Sequence, residues 1–109
     1  MNEPRVVLTT VGSKEEGQKM ARALVESHAA ACVNLTGPVE SVYWWQGKVE
    51  NASEHLLIIK TTADAVERIR DIITQLHSYE LPELITLKID AGSRAYLDWI
   101  AECVSWPAK

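Results

Sequence analysis

Arg5-Val6-Val7-Leu8-Thr9-Thr10-Val11-Gly12-Ser13-Lys14-Glu15-Glu16 contains a strand, its stop and a helix start. The β-branched, nearly continuous apolar run ending at Val11 has the composition of a strand at a sheet centre or covered on both faces. Gly12 ends it. Ser13 and Glu16 then stand in the S-x-x-E spacing of a capping box, whose hydroxyl and carboxylate satisfy amides left free at a helix N-terminus. The helix this predicts buries Gly17, Met20, Ala21, Leu24 and Val25, spaced i, i+3, i+4, i+7 and i+8. Lys14, Glu15, Lys19, Arg22 and Glu26 face water, and the helix should run to about His28.

Working outward, Ala31 to Leu35 is extended, breaks at Thr36-Gly37-Pro38 and resumes from Val39 to Trp45, with Val39, Ser41, Tyr43 and Trp45 on one face. Gly-Pro inside a strand pattern predicts a bulge or an edge position. Gln46-Gly47 offers a tight turn before Lys48-Val49-Glu50, and a third strand is strongest from His55 to Thr61, which makes a long, bent hairpin. Between Ala63 and Leu76 a second helix repeats Val66, Ile69, Ile72, Ile73 and Leu76, with Asp64 and Glu67 near its start, where negative charge suits the dipole. The stretch from His77 to Glu83 has no period, and Pro82 biases Leu81 away from helix, so it reads as a loop. Leu84 to Asp90 alternates, Ile85, Leu87 and Ile89 against Thr86, Lys88 and Asp90, which predicts a half-buried strand. Gly92-Ser93 turns into a last helix carrying Tyr96, Leu97, Trp99, Ile100, Cys103 and Val104, apolar around more than a narrow stripe.

The order β-α-β-β-α-β followed by α predicts an α+β fold. It is a ferredoxin-like βαββαβ sandwich, an antiparallel four-stranded sheet with helices on one face, plus an additional C-terminal helix. The uncovered face needs an occupant, which could be the last helix, a ligand or another subunit. Tandem Trp44-Trp45 on a long hairpin points to a subunit, since an exposed apolar edge of that size invites aggregation.

The chain has 109 residues, enough for one core, so residues 1–109 are read as a single domain. With 47% hydrophobic and 24% charged residues it lies far from the signature of disorder. A formal charge of −4, with no clustering of Lys and Arg among aromatics, argues against a nucleic-acid partner. No apolar run approaches a membrane span, and Met1-Asn2-Glu3-Pro4-Arg5 does not read as a signal peptide. Cys32 and Cys103 are too few for a disulfide framework, so a cytoplasmic protein with reduced thiols is expected.

Catalytic chemistry finds little support. Three histidines and two cysteines suggest metal binding, but there is no C-x-x-C or H-x-x-x-H pair, and His28-x-x-x-Cys32 spans a helix end and a strand start. Cys32 in a strand and Cys103 in an apolar helix lack an activating base, and no glycine pattern for phosphate precedes a helix. No enzymatic activity is expected. What remains is a set of polar and aromatic groups that could converge: Lys60 at a strand end, Tyr43 and Trp45 on a sheet face, and His77, Tyr79 and Glu83 on one loop. Loops held by rigid strands are where binding sites usually lie. Equally, the aromatics could pack a subunit interface with the charges at its rim.

Five motifs in order, Ala30-Ala31-Cys32-Val33-Asn34, Ser41-Val42-Tyr43-Trp44-Trp45-Gln46-Gly47-Lys48, Ile59-Lys60-Thr61, His77-Ser78-Tyr79-Glu80-Leu81-Pro82-Glu83 and Tyr96-Leu97-Asp98-Trp99, closely resemble CutA, the divalent-cation tolerance proteins. The resemblance covers nearly the whole chain. It implies a ferredoxin-like subunit in a tight, PII-like homotrimer, a link to divalent metal-ion tolerance and response, copper binding in some members, and no established reaction. Carried over by position, the recurrent pocket residues are Cys32, Trp45, Lys60, His77, Tyr79 and Glu83. With Tyr43 beside Trp45 they make a candidate inter-subunit pocket for a small ligand or a metal ion. The family's copper-binding pattern uses a Cys in the first strand and two adjacent His before the Tyr-x-x-Pro-Glu loop, where this chain has Thr9, Leu76 and His77. His77 is therefore the one candidate ligand for a divalent metal such as copper, and Ser78 replaces the family's usual Pro. Three roles stay open: a metal-responsive binding protein, a PII-like small-ligand sensor using Lys60, and a structural trimeric interaction protein without catalysis.

Overall fold

Val7 and Val11 of the opening strand and Leu57 and Ile59 of the third are fully buried, and they pack against Met20 and Leu24 of the first helix and Ile69 and Ile73 of the second. This core lies in a computed structural model that describes residues 3–105. The elements are β1 (Pro4–Val11), α1 (Lys14–Glu26), β2 (Cys32–Trp45), β3 (Lys48–Thr62), α2 (Val66–Leu76), β4 (Ile85–Lys88) and α3 (Arg94–Ser105). A single 3₁₀ turn, Ala63–Ala65, leads into α2. The strands form one antiparallel sheet in the order β2-β3-β1-β4, the ferredoxin-like arrangement expected from the sequence.

Period-two alternation divides the sheet. Val7, Val11, Leu57 and Ile59 point to the side covered by α1 and α2. The register pairs Val6 with Lys60 and Leu87, and Leu8 with Ile58 and Ile85, on the other side. There Val6, Leu8, Leu56 and Ile58 are only half-buried, and Ile85 and Leu87 are each 47% exposed. α3 forms a second small core, Ile100 and Val104 against Ala65, with Ala31 and Leu97 beside them. That core sits where β2 begins and β3 ends, so α3 does not close the remaining apolar face.

Three sequence expectations need correction. β4 is shorter than Leu84–Asp90 and wholly exposed rather than half-buried, because among the described residues it is an edge strand paired only with β1 and no helix covers it. α1 ends at Glu26, not His28. The amides of Ala29 and Ala30 both reach back to the Leu24 carbonyl, with His28 in the left-handed region at φ 62°. This turn carries Ala29 and Ala30 into the core and leaves Val25, read as core, 39% exposed. The capping box is half realised. Ser13 Oγ accepts from the Glu16 amide at 3.1 Å, but the Glu16 carboxylate turns to the Gly12 amide at 3.4 Å and to the loop after α2.

The hairpin follows its pattern. The β2–β3 register slips between Leu35 and Pro38, the bulge that Gly37-Pro38 predicts. Gln46 at φ 51° and Gly47 at φ 82° make the tight connection favoured by strand twist.

Candidate functional site

The loop after α2 is held at several points, beginning with its first residue. The His77 side chain is fully buried, and its Nε2 lies 2.6 Å from the Thr10 carbonyl oxygen. A carbonyl can only accept, so Nε2 carries the proton and donates. Nδ1 then accepts from the Tyr79 amide at 3.0 Å. Both ring nitrogens are thereby engaged. Glu16, reaching across from α1, accepts from the Ser78 amide at 2.8 Å and from the Ser78 hydroxyl at 3.2 Å. The His77 and Tyr79 rings lie 4.6 Å apart between centroids.

Tyr79 carries this arrangement to the sheet. Its hydroxyl donates to Glu54 Oε2 at 2.7 Å, and Glu54, inside β3, is only 6% exposed. Burial, the hydrogen bond to Glu54 and that carboxylate's charge push the Tyr79 phenol well above its ordinary range, so it stays a donor. Burial, and then the negative charge of Glu54, also push the Glu83 carboxyl up. Between the outer half of the hairpin and the Tyr79–Glu83 loop lies a cleft of about 820 Å³, within the range of small-ligand sites. Tyr43, Trp45, Glu54, Tyr79 and Glu83 line it, together with Thr10.

The residues singled out from sequence therefore fall into two groups. Tyr43, Trp45, Tyr79 and Glu83 share the cleft, and His77 lies behind it, orienting Tyr79. Cys32 and Lys60 do not reach it. They pair with each other in register at the far end of the hairpin, whereas Trp45 pairs with Lys48 at the turn. There the Lys60 ammonium donates to Asn34 Oδ1, and the Cys32 thiol lies 3.9 Å from the same oxygen. Burial and the neighbouring Cys32 thiol raise the Tyr96 phenol beside them.

The residues present do not fit a copper ion. His77 has no lone pair left for a metal in this geometry. The Thr9 hydroxyl is buried on the helix-covered face without a hydrogen-bond partner, and Leu76 offers no donor. Among the described residues no three His, Cys, Asp or Glu stand together as a metal site.

Sequence reading missed Glu54 and the second role of Glu16. The strong part of the third strand was read from His55, one residue too late for Glu54. Glu16 looked fully used by the helix start. A carboxylate next to an apolar strand run, with a tyrosine loop elsewhere in the chain, was the available signal for Glu54.

An antiparallel sheet of this order, backed by two helices and bearing an aromatic cleft beside the loop after the second, defines a ferredoxin-like α+β domain with a ligand-sized recess. The family model described as CutA1 divalent ion tolerance protein matches residues 5–103, and the chain belongs to this family. A divalent-cation tolerance protein CutA of Thermus thermophilus is 45% identical over 89% of this chain and 94% of its own length. The chloroplastic CutA protein of Arabidopsis thaliana is 45% identical over 87% of this chain but only 52% of its own. The solved structure of the periplasmic divalent cation tolerance protein CutA from Archaeoglobus fulgidus superposes with a TM-score of 0.90 at 38% identity, covering 93% of this chain and 98% of that one.

Proposed function

We propose that the chain is a non-catalytic, homotrimeric binding protein acting in divalent metal-ion tolerance, with its pocket completed between copies. One observation carries this reading: Cys32 and Lys60 lie at the opposite end of the hairpin from Tyr43, Trp45, Tyr79 and Glu83. Only a second copy can bring the two groups together. The half-covered sheet face with Ile85 and Leu87, and the exposed Val42 and Trp44, supply apolar surface for such an assembly. A PII-like trimer follows from the family resemblance. Sedimentation and native mass spectrometry of untagged protein test it. A trimer is expected, and a stable monomer at micromolar concentration overturns it.

Within this role, direct copper ligation by His77 is weak, because the ring nitrogens are occupied and the other two donors are Thr9 and Leu76. Titration of the apo protein with Cu²⁺ beside His77→Ala checks this. Sub-micromolar affinity lost in the variant overturns it. A PII-like sensing role for a small ligand is the second reading, favoured by the cleft itself. Two free cysteines support a reducing compartment such as the cytoplasm, and no described helix is long and apolar enough to cross a membrane.

A further inference from the structure

We infer that Ser78 is a positioning residue of the cleft: by clasping Glu16 through both its amide and its hydroxyl, it fixes the path on which the Tyr79–Glu83 loop leaves α2, and with it the place of Tyr79. The inference deepens the reading of the cleft as a binding site and rests on it, but the clasp itself lies within one chain.

Few contacts hold this loop, which is why one residue can decide its course. From Glu80 to Glu83 no hydrogen bond ties the loop to any described residue, and the next anchor is Leu84, packed against the main core. The wall of the cleft therefore depends on residues 77–79 before it. His77 reaches β1 through its ring, at the Thr10 carbonyl, and Tyr79 reaches β3 through its hydroxyl, at Glu54. Both are ties made by the far ends of side chains. The Tyr79 amide stays within the loop, on His77 Nδ1. Ser78 alone among the described residues of the loop ties its main chain to another element, its amide donating to Glu16 Oε2 at 2.8 Å. Its hydroxyl adds a bond to Oε1 of the same carboxylate at 3.2 Å. Two oxygens gripping one residue at two points set the orientation of the peptide as well as its position, and bonds to an ionised acceptor are the stronger kind.

The backbone of His77 shows the path that the clasp maintains. At φ −77° and ψ 140° it is extended and close to polyproline geometry. A proline at the next position imposes that same conformation on its predecessor. Ser78 thus holds by hydrogen bonds a course that a pyrrolidine ring holds covalently. Ser78→Pro therefore separates positioning from contact, because it removes both bonds to Glu16 and keeps the path.

Amide exchange in the intact protein tests this, with the Tyr79 amide and the Trp45 indole resonance as reporters and the paired amides of β1 and β3 as reference. Ser78→Ala should speed exchange at Tyr79 about fivefold or more, as loss of a hydrogen bond to a charged group does, and should shift the indole resonance. Glu16→Ala removes both bonds and should speed it further. In Ser78→Pro exchange at Tyr79 should stay within about twofold of the parent protein, and adding Glu16→Ala to it should loosen the loop no more. Unchanged exchange in both Ser78→Ala and Glu16→Ala overturns the inference. So does a Ser78→Pro loop as loose as that of Glu16→Ala. Equal acceleration across the β1 and β3 amides overturns it too, since Ser78 then supports the fold and not the cleft. Sedimentation of the same samples reads assembly separately. A loop that responds as expected in a monomer counts against the trimer alone, and an unresponsive loop in a trimer counts against Ser78 alone.

Discussion

Tyr79 is the residue on which the cleft turns, since its amide is held by His77 and its hydroxyl by Glu54. Removing that hydroxyl in Tyr79→Phe leaves a nearly buried carboxylate without its donor. The variant should lose about 1–3 kcal/mol of stability, read from denaturant midpoints at constant slope. Glu83 gives a pH dependence of definite sign. Its folded carboxyl titrates above the ordinary glutamate range, so the folded state takes up the proton first. Its contribution therefore favours folding increasingly as pH falls from neutral through the raised value toward that of the unfolded chain, and is lost as pH rises again. In Glu83→Gln this part of the melting temperature's acid dependence should disappear. Tyr43, Trp45, Tyr79 and Glu83 were legible as candidates because aromatics and charges stood out against a simple alternation. Glu54 was not, because its significance depends on a tyrosine 25 positions away that only the folded register brings to it.

At the scale of elements, the seam between α1 and β2 is set by Gly17. A Cβ built there would lie 2.7 Å from Cδ1 of the half-buried Leu35, which packs against the core, and 3.2 Å from Cγ2 of the fully buried Val11. Gly17→Ala gains up to about 1 kcal/mol of helix propensity. Forcing the seam apart costs about 1–3 kcal/mol, so a net loss of stability is expected. Gly37→Ala, where nothing lies within 4 Å of the added methyl, serves as the control in the same thermal melts. The helices, the hairpin and its bulge were readable because hydrophobic period, Gly-Pro and the Gln46-Gly47 turn are local signals. β4 was misjudged for a related reason: alternation reports that a strand has two unlike faces, but not whether anything covers the apolar one.

At the scale of the whole molecule, Trp45 tests the proposed trimer. It is 38% exposed in one chain, so on that proposal truncating it should matter most where copies would bury it. Trp45→Ala is then expected to lower the stability of the proposed assembly by roughly 3–5 kcal/mol. The loss should shrink on dilution into dissociated subunits, and melts at two protein concentrations measure it. The ferredoxin-like order was fully legible. The division of the pocket residues was legible too, in principle, because a turn at Gln46-Gly47 places Trp45 opposite Lys48 and sends Lys60 back to Cys32.

The Glu16 carboxylate, which accepts from the amide and hydroxyl of Ser78, has an effect beyond holding one loop in place. It couples a wall of the cleft to the first turn of α1, whose buried side packs into the main core. The wall then does not open as an independent surface excursion. Its opening free energy approaches that of the helix end, which makes the recess preformed and keeps the entropy of closing a loop out of the cost of binding.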